Sequence, residues 1–196
     1  MKKEAIRGMI FHSIEAHKLL SDLVDKIEDA SNLISTAISQ GNKVISCGNG
    51  GSAGQAQHFS AELIGRFEKE RSALNSISLT TDTSNITAIG NDYGYENVFK
   101  RQLQGIGKPG DVLLCLTSSG NSQNLIEAIN HAKLNGIKVV NLLGNDGGKM
   151  NGLGNANIII PSENTARVQE CHLLILHIFA KLIEYTIFNQ DGSTRN

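Results

Sequence analysis

The sequence lacks an excess of basic residues and any long uninterrupted apolar run. Its 18 Lys and Arg residues are balanced by 19 Asp and Glu residues, which gives a formal net charge of −1. This balance argues against a nucleic-acid binder, and no run approaches the roughly 20 apolar residues that cross a bilayer. Charged residues also interrupt the N-terminal stretch MKKEAIRGMIFHSIEAHKLL, which argues against a secretory signal. We therefore expect a cytoplasmic protein that binds neither nucleic acid nor membrane.

Cysteine is scarce, and its spacing excludes a disulfide framework. The three cysteines, Cys47, Cys115 and Cys171, cannot all pair within one chain and form no CxxC motif. Cys47 and Cys115 lie in apolar, strand-like runs. We interpret them as buried, reduced thiols rather than as catalytic or metal-bound residues.

Proline is absent from residues 2–39, and Gly8 is the only glycine there. The apolar residues of this segment recur at spacings of three and four, which predicts one long helix or two helices in succession. The helical pattern ends at Gln40-Gly41-Asn42.

After residue 40 the chain alternates between apolar runs and helical patterns. Alternating apolar strands and helices indicate a parallel sheet covered by helices. We therefore predict an α/β fold, a doubly wound five-stranded parallel sheet flanked by helices, with an N-terminal helical extension. The predicted strands are 43–47, 76–80, 111–117, 138–143 and 157–161, and the predicted helices are 53–66, 84–89, 95–105, 122–135 and 164–188.

The length of 196 residues suits one domain. Within it we expect N-terminal helices over 1–40, an α/β core over 41–188 and a polar, flexible tail over 189–196. The last predicted helix is apolar around most of its circumference, so we expect it to be buried on several sides. Together with the N-terminal helices, this predicts a homo-oligomer in which helices pack between subunits.

Two loops at predicted strand ends share a composition rich in glycine and hydroxyl groups. The first is Cys47-Gly-Asn-Gly-Gly-Ser52, and the second is Thr117-Ser-Ser-Gly-Asn-Ser122. In doubly wound sheets ligands bind beyond the carboxyl ends of the strands, and free N–H groups at helix N-termini favour phosphate. Such residues also dominate ordinary turns, but two such loops at equivalent strand ends favour a phosphomonoester site.

The first loop fits two other phosphate motifs poorly. The acidic residue of a dinucleotide site follows the glycines by about 20 residues, whereas Asp82 follows them by about 30. A Walker loop needs a lysine after its glycines, and this sequence has none there.

Four polar residues on two predicted helices form a possible metal-ligand set. His58 and Glu62 are four residues apart and share one helix face. Gln169 and His177 lie on the last helix, and all four could converge on a divalent ion such as Zn²⁺. The alternative is that the histidines are structural and Glu62 is a solvated carboxylate. We interpret the remaining histidines as structural: His12, His17, His131 and His172.

The combined motifs resemble the sugar isomerase (SIS) superfamily and, within it, the phosphoheptose isomerases. The resemblance covers nearly the whole chain and runs through CGNGGSA, AQHFSAEL, GRFE, TAIGNDYG, GDVLLCLTSSGNS, GNDGGKM and ARVQECH. It implies a homotetramer with a five-stranded parallel sheet. It also implies an aldose–ketose isomerase that converts sedoheptulose 7-phosphate to D-glycero-D-manno-heptose 7-phosphate, a precursor of the ADP- or GDP-heptose used for lipopolysaccharide or capsule.

The resemblance also implies roles for individual residues. Glu62 and His177 match the catalytic base and acid, and one Zn²⁺ per subunit is expected at His58, Glu62, Gln169 and His177. The matching phosphate loop is Thr117, Ser118, Ser119 and Ser122. The remaining substrate-binding positions are Asn49, Gly50, Gly51, Ser52, Glu62, Arg66, Asn91, Asp92 and Gln169. One departure is Ala166, where some family members have an acidic residue.

Two alternatives remain open from the sequence. Non-catalytic SIS tetramers bind the bacterial replication initiator protein, but they lack residues corresponding to Glu62 and His177, and this chain has both. An isomerase of another sugar phosphate, such as an arabinose or hexose phosphate, is the second alternative, and the AQHFSAEL helix argues against it.

Overall fold

The computed structural model describes residues 1–188 and contains one five-stranded sheet in which every strand pair is parallel. This confirms the predicted fold class. The predicted tail, residues 189–196, lies outside the described residues. The strands are β1 (Val44–Gly48), β2 (Ser76–Ser78), β3 (Val112–Thr117), β4 (Lys138–Gly144) and β5 (Ala156–Ile160).

The strand order places the ends of β1 and β3 side by side. The order across the sheet is β2-β1-β3-β4-β5, so the chain reverses its direction of winding between β1 and β3. In register, Cys47 pairs with Cys115 and Gly48 pairs with Leu116. The two loops singled out from the sequence therefore leave neighbouring strands at the topological switch point, where doubly wound sheets bind ligands.

The N-terminal segment forms two helices joined by a short 3-10 turn at Leu19–Leu23. The predicted boundary near residue 40 falls in the turn between α2 and β1. The helices are α1 (Lys2–Lys18), α2 (Val24–Ser39), α3 (Gly51–Ile64), α4 (Thr83–Tyr93), α5 (Val98–Ile106), α6 (Gln123–Leu134) and α7 (Thr165–Phe188).

Strand β2 is shorter than predicted because the chain turns after Ser78. The hydroxyl of Ser78 lies 2.7 Å from that of Thr80, and the hydroxyl of Thr81 donates to the Ser78 carbonyl at 3.1 Å. Local side-chain bonds of this kind compete with strand pairing. The backbone N–H of Leu79 still bonds to Ser46 O at 2.9 Å.

The two faces of the sheet bury separate apolar layers. Helices α1, α2, α3 and α7 supply one layer, and α4, α5 and α6 supply the other. Cys47 and Cys115 lie in the second layer as free thiols with their sulfur atoms 3.7 Å apart, which confirms the predicted buried, reduced state. Burial raises the pKa of the Cys115 thiol well above its usual range.

Helix α7 is long and apolar enough, by length and composition alone, to cross a membrane. In the fold it packs against α1, α2, α3 and β4. Its buried residues, from Arg167 to Glu184, come as adjacent pairs every four positions, and Leu173 and Leu174 stay exposed. This arrangement is that of a core helix in a folded domain.

Helices α3 and α7 are joined by an aromatic pair. The rings of Phe59 and Phe179 lie 6.3 Å apart in an edge-to-face arrangement, and both side chains are fully buried. Such pairs contribute more than their buried area alone. The contact fixes the spacing of the two helices that carry His58, Glu62 and His177.

We expect Phe59→Ala to lower the free energy of unfolding by about 3–5 kcal/mol, because it removes a buried ring and leaves a cavity. Urea denaturation followed by circular dichroism measures this change. The matched control is Leu134→Ala, since Leu134 is 87% exposed on α6 and its truncation should cost less than about 0.5 kcal/mol. Equal effects of the two substitutions would contradict the packing role of Phe59.

Candidate functional site

The first loop is a tight turn between β1 and α3. Gly50 has a φ of +57°, in the region that favours glycine. A Cβ on Gly48 would lie 2.8 Å from the carbonyl oxygen of Ser52. The backbone at Gly48 and at Ser52 is therefore too close for a side chain at position 48. The N–H of Ser52 closes the turn by donating to Asn49 O at 3.0 Å. The loop therefore presents backbone groups at the start of α3.

The second loop surrounds the hydroxyl of Thr117, the last residue of β3. This oxygen accepts from the N–H groups of Ser119 and Gly120, each at 3.3 Å. The hydroxyls of Ser119 and Ser122 lie 3.4 and 3.5 Å from it. Ser122 stands at the N-cap of α6 without making a side-chain cap bond. Thr117, Ser119 and Ser122 are thus brought together at a helix N-terminus, as the sequence predicted, with half-buried Ser118 between them.

The segment after β4 braces the second loop. Gly120 has a φ of +64°, and a Cβ there would lie 2.0 Å from Gly147 O. The N–H of Met150 donates to Gly120 O at 3.0 Å, and the N–H of Lys149 donates to Asn121 Oδ1 at 3.1 Å. Hydrogen bonds from the backbone of residues 149 and 150 therefore hold the second loop in place.

A pair of amides joins the two loops, and sequence reasoning missed it. The side chains of Asn49 and Asn124 exchange two hydrogen bonds, each 2.9 Å long. Tyr95 adds a third bond, from its hydroxyl to Asn49 Oδ1 at 3.1 Å. Asn124 is only 3% exposed. The polar residue Asn124 in the first turn of α6 could have drawn attention in the sequence, but the sequence did not indicate that Asn49 is its partner.

His58, Glu62 and His177 form a compact cluster where α3 faces α7. The Nε2 atoms of the two histidines are 2.8 Å apart, and Nε2 of His58 is 3.2 Å from Glu62 Oε1. The imidazole rings meet edge-on at 70°. One ligand atom from each residue lies within 4.8 Å of the others. Two imidazole nitrogens and a carboxylate oxygen at this spacing fit a Zn²⁺ site with room for a further ligand.

The predicted fourth ligand, Gln169, lies elsewhere along α7. Its side chain covers Gly51, where an added Cβ would meet Gln169 Nε2 at 2.6 Å. The backbone of Gln169 accepts a 2.6 Å bond from Gln55 Nε2. Gln169 and His177 are eight residues apart, which separates their backbones by about 12 Å along the helix. The structure therefore places Gln169 beside the first loop, and its role as a ligand stays a prediction.

Three further predicted residues lie on the exposed surface. Asn91 donates to Asp92 Oδ1 at 2.7 Å near the end of α4, and Arg66 Nε lies 3.7 Å from Glu70 Oε2. Within residues 1–188 these contacts link them neither to the two loops nor to the histidine cluster. Their assignment to substrate binding stays a prediction.

The other histidines differ from the cluster in their surroundings. His172 is fully buried, and its Nε2 bonds to Leu143 O at 3.2 Å. Burial lowers the pKa of His172 to about 4, against a smaller opposing effect of the Leu143 carbonyl. Burial and the neighbouring Lys100 charge also lower the pKa of His131. His17 Nδ1 contacts Ser13 O at 2.8 Å. These contacts agree with structural roles.

Known proteins resemble this chain along nearly its whole length. The SIS domain model matches residues 13–144. A phosphoheptose isomerase of Shewanella loihica is 47% identical over an alignment of 192 residues, which covers 96% of this chain and 98% of that protein. One of Aliarcobacter butzleri is 45% identical over 184 residues, covering 94% and 97% of the two chains.

The chain belongs to the phosphoheptose isomerase family of SIS-domain proteins. Solved structures of the family superpose on it closely. The phosphoheptose isomerase of Neisseria gonorrhoeae has a TM-score of 0.89 at 38% identity, covering 94% of this chain and 99% of that one. The enzyme of Francisella tularensis has a TM-score of 0.90 at 35% identity, covering 93% and 98%.

Position 166, where some members of this family have an acidic residue, is exposed in the first turn of α7. The N–H of Ala166 donates to Asn164 Oδ1 at 3.0 Å, so Asn164 caps this helix end. The methyl group of Ala166 offers no acid, base or metal ligand, and proton transfer in this chain must depend on other residues.

We expect His172 to make the native state less stable at acid pH. The unfolded chain binds a proton at His172 near its ordinary pKa of about 6.5, whereas the native state does so only near the lowered pKa of about 4. Stability is therefore lost as pH falls from about 6.5 to 4, by roughly 3 kcal/mol.

Urea unfolding of wild type and His172→Gln across this pH range measures the effect. The difference in unfolding free energy between the two should shrink or reverse as pH falls. The exposed His12→Gln serves as control and should keep the wild-type pH profile. Parallel curves for wild type and His172→Gln would contradict the assignment.

Proposed function

We propose that the protein isomerises sedoheptulose 7-phosphate to D-glycero-D-manno-heptose 7-phosphate. The family supplies the substrate class, since its members are named phosphoheptose isomerases. The observation that carries the proposal is the cluster of His58 and Glu62, on the helix that follows the first loop, with His177 of α7. The cluster supplies acid–base groups, and the neighbouring loops supply phosphate-binding groups.

The second loop suits the phosphate of the substrate. Its hydroxyls and backbone N–H groups are neutral donors, and the start of α6 adds the partial positive charge of a helix N-terminus. We assign Thr117, Ser118, Ser119 and Ser122 to this role. Asn49, Gly50, Gly51 and Ser52, together with Gln169, would contact the sugar, as would Arg66, Asn91 and Asp92.

The distance along α3 from the first loop to the histidine cluster is close to the length of a heptose phosphate. Gly51 and His58 are seven residues apart on α3, which is about 10 Å along a helix. An extended chain of single bonds spans about 1.2 Å per bond, so the eight bonds from C1 to phosphorus also span about 10 Å. Because the second loop lies beside the first, phosphate bound at Thr117–Ser122 would leave C1 and C2 near the histidine cluster.

Glu62 and His177 suit the proton transfers of a ketose–aldose isomerisation. The Glu62 carboxylate takes a proton from C1 of the ketose and returns it to C2, which passes the sugar through a 1,2-enediol. His177 moves the second proton between the oxygens on C1 and C2. A carboxylate and an imidazole at one site supply the base and acid that this reaction needs. Binding at the remote phosphate orients the reacting carbons.

We propose one Zn²⁺ per subunit, held by His58, Glu62 and His177, with Gln169 as the predicted fourth ligand. A bound divalent ion polarises a carbonyl and stabilises negative charge on its oxygen. Zn²⁺ suits this mixed nitrogen and oxygen set better than Mg²⁺, which prefers oxygen ligands and water.

We further propose a cytoplasmic homotetramer that catalyses the first step towards the ADP- or GDP-heptose used for lipopolysaccharide or capsule. Exposed apolar side chains on α1 support subunit contacts, because a monomer would leave them in water. These residues are Ile6, Met9, Ile10, Phe11 and Ile14.

Glu62→Gln should abolish turnover while the sugar phosphate still binds, because the amide keeps size and polarity but cannot accept the proton. The loss in kcat should reach about 10²–10⁴-fold, the usual contribution of acid–base catalysis. A coupled or NMR assay with sedoheptulose 7-phosphate measures it, with exposed Glu28→Gln on α2 as the matched control. Wild type without turnover would refute the proposed function, and an active Glu62→Gln would transfer the base role to another residue.

Zinc content should depend on His177. Wild type purified without chelator should carry close to one zinc ion per chain by elemental analysis, and His177→Ala should lose most of it, because one of the three clustered ligands is gone. His131→Ala, which removes an imidazole on α6, should keep the metal. Full activity of metal-free wild type would remove zinc from the mechanism.

A further inference from the structure

The segment that follows α3, residues 65–71, is fixed to α7 by a buried carboxylate. Glu184 accepts hydrogen bonds from the backbone N–H groups of Phe67 at 3.0 Å and of Glu68 and Lys69 at 3.1 Å each. It also accepts a hydrogen bond from Arg71 Nε at 3.0 Å. The side chains of Arg71 and Glu184 are only 2% and 1% exposed. Consecutive N–H groups and a guanidinium thus enclose one anion.

Arg71 also attaches this segment to the end of α3. Its Nη2 donates to the carbonyl oxygen of Glu62 at 2.7 Å, and its Nη1 donates to that of Leu63 at 2.7 Å. Carbonyls in the last turn of a helix have no partners within the helix, and a cation there is favourable. Arg71 therefore joins the backbone of the proposed base to Glu184 on α7.

Phe67 connects the segment held by Arg71 and Glu184 to the histidine cluster. Its ring lies 5.5 Å from the imidazole of His177, with the planes 25° apart. Rotation about the last side-chain torsion of a histidine is broad and weakly restrained, so a stacked ring on one face restricts it. His177 and Glu184 are seven residues apart, so they share one face of α7.

We propose that Phe67 is a positioning residue of the isomerase site, held in place by the Arg71–Glu184 pair, and that it fixes the imidazole plane of His177 so that Nε2 points at His58. This inference rests on the proposed function for its catalytic consequence. The orientation of His177 as a metal ligand can be tested without the isomerase reaction, by measuring Zn²⁺ affinity. Groups that support a metal ligand in this way typically change metal affinity or activity by about 10–100-fold when they are altered.

The alternative is that Arg71 and Glu184 only stabilise the fold. Buried ion pairs are weak evidence for stability, since their desolvation offsets their attraction. The same segment also has an exposed ion pair to the same helix, between Glu68 and Lys181. That pair provides a matched control, because it joins the same two elements without contacting His177.

The experiment compares Phe67→Leu, Phe67→Tyr, Glu184→Gln and Glu68→Gln with wild type. For each variant we would measure Zn²⁺ affinity by competition with a chromogenic chelator, kcat and KM with sedoheptulose 7-phosphate, and the thermal midpoint. Phe67→Leu keeps an apolar side chain but removes the flat ring. It should lower Zn²⁺ affinity or kcat by about 10–100-fold, with KM unchanged.

Phe67→Tyr keeps the ring, so its Zn²⁺ affinity and kcat should equal those of wild type. Glu68→Gln should match wild type in Zn²⁺ affinity, kcat, KM and thermal midpoint. Glu184→Gln should reproduce the Phe67→Leu defect and also lower the thermal midpoint. Wild-type Zn²⁺ affinity and kcat in Phe67→Leu would overturn the inference, as would equal defects in Phe67→Leu and Glu68→Gln. If wild type fails to turn over the sugar, the proposed function fails, and the Zn²⁺ affinities still decide the role of Phe67.

Discussion

The packing of α3 against α7 is the contact on which the candidate site depends. These helices are more than 100 residues apart in the chain, and neither carries the site alone. Their buried aromatic contact sets the spacing at which two imidazoles and a carboxylate converge. The contacts between α3 and α7 include Gly51–Gln169, Gln55–Gln169, His58–His177 and Phe59–Phe179, and Phe67, just after α3, adds a contact to His177.

The sheet provides the second requirement, because it places the two loops at which we propose phosphate and sugar binding beside the contact between α3 and α7. Because β1 and β3 are neighbours and parallel, their loops leave the same edge together. The reciprocal amide bonds of Asn49 and Asn124 then hold the loops at a fixed separation. A buried amide pair is favourable only when both partners are present. The first loop, His58 and Glu62 are therefore built on α3, and the second loop, to which we assign phosphate binding, lies beside them at the start of α6.

Most of the fold could be predicted because its signals are local. Apolar runs and helical spacings identified the strands and helices, and the i, i+4 relation placed His58 and Glu62 on one face. The contacts of Asn124, Phe67 and Glu184 were missed because their partners lie 75, 110 and 113–117 residues away in the chain. Gln169 was grouped with the metal ligands from its place on the last helix and by resemblance. Its side chain lies against Gly51, and its role as a ligand stays a prediction.

The central claim, that the seam between α3 and α7 is the reaction site, is tested most directly by locating the metal. Diffraction data collected at the zinc absorption edge, from crystals grown with Zn²⁺ and sedoheptulose 7-phosphate, would show where the ion binds. The account predicts one anomalous peak per chain between Nε2 of His58, Nε2 of His177 and the Glu62 carboxylate, with the sugar phosphate reaching the Thr117–Ser122 loop. A peak at other residues, or a sugar bound away from α3, would contradict it.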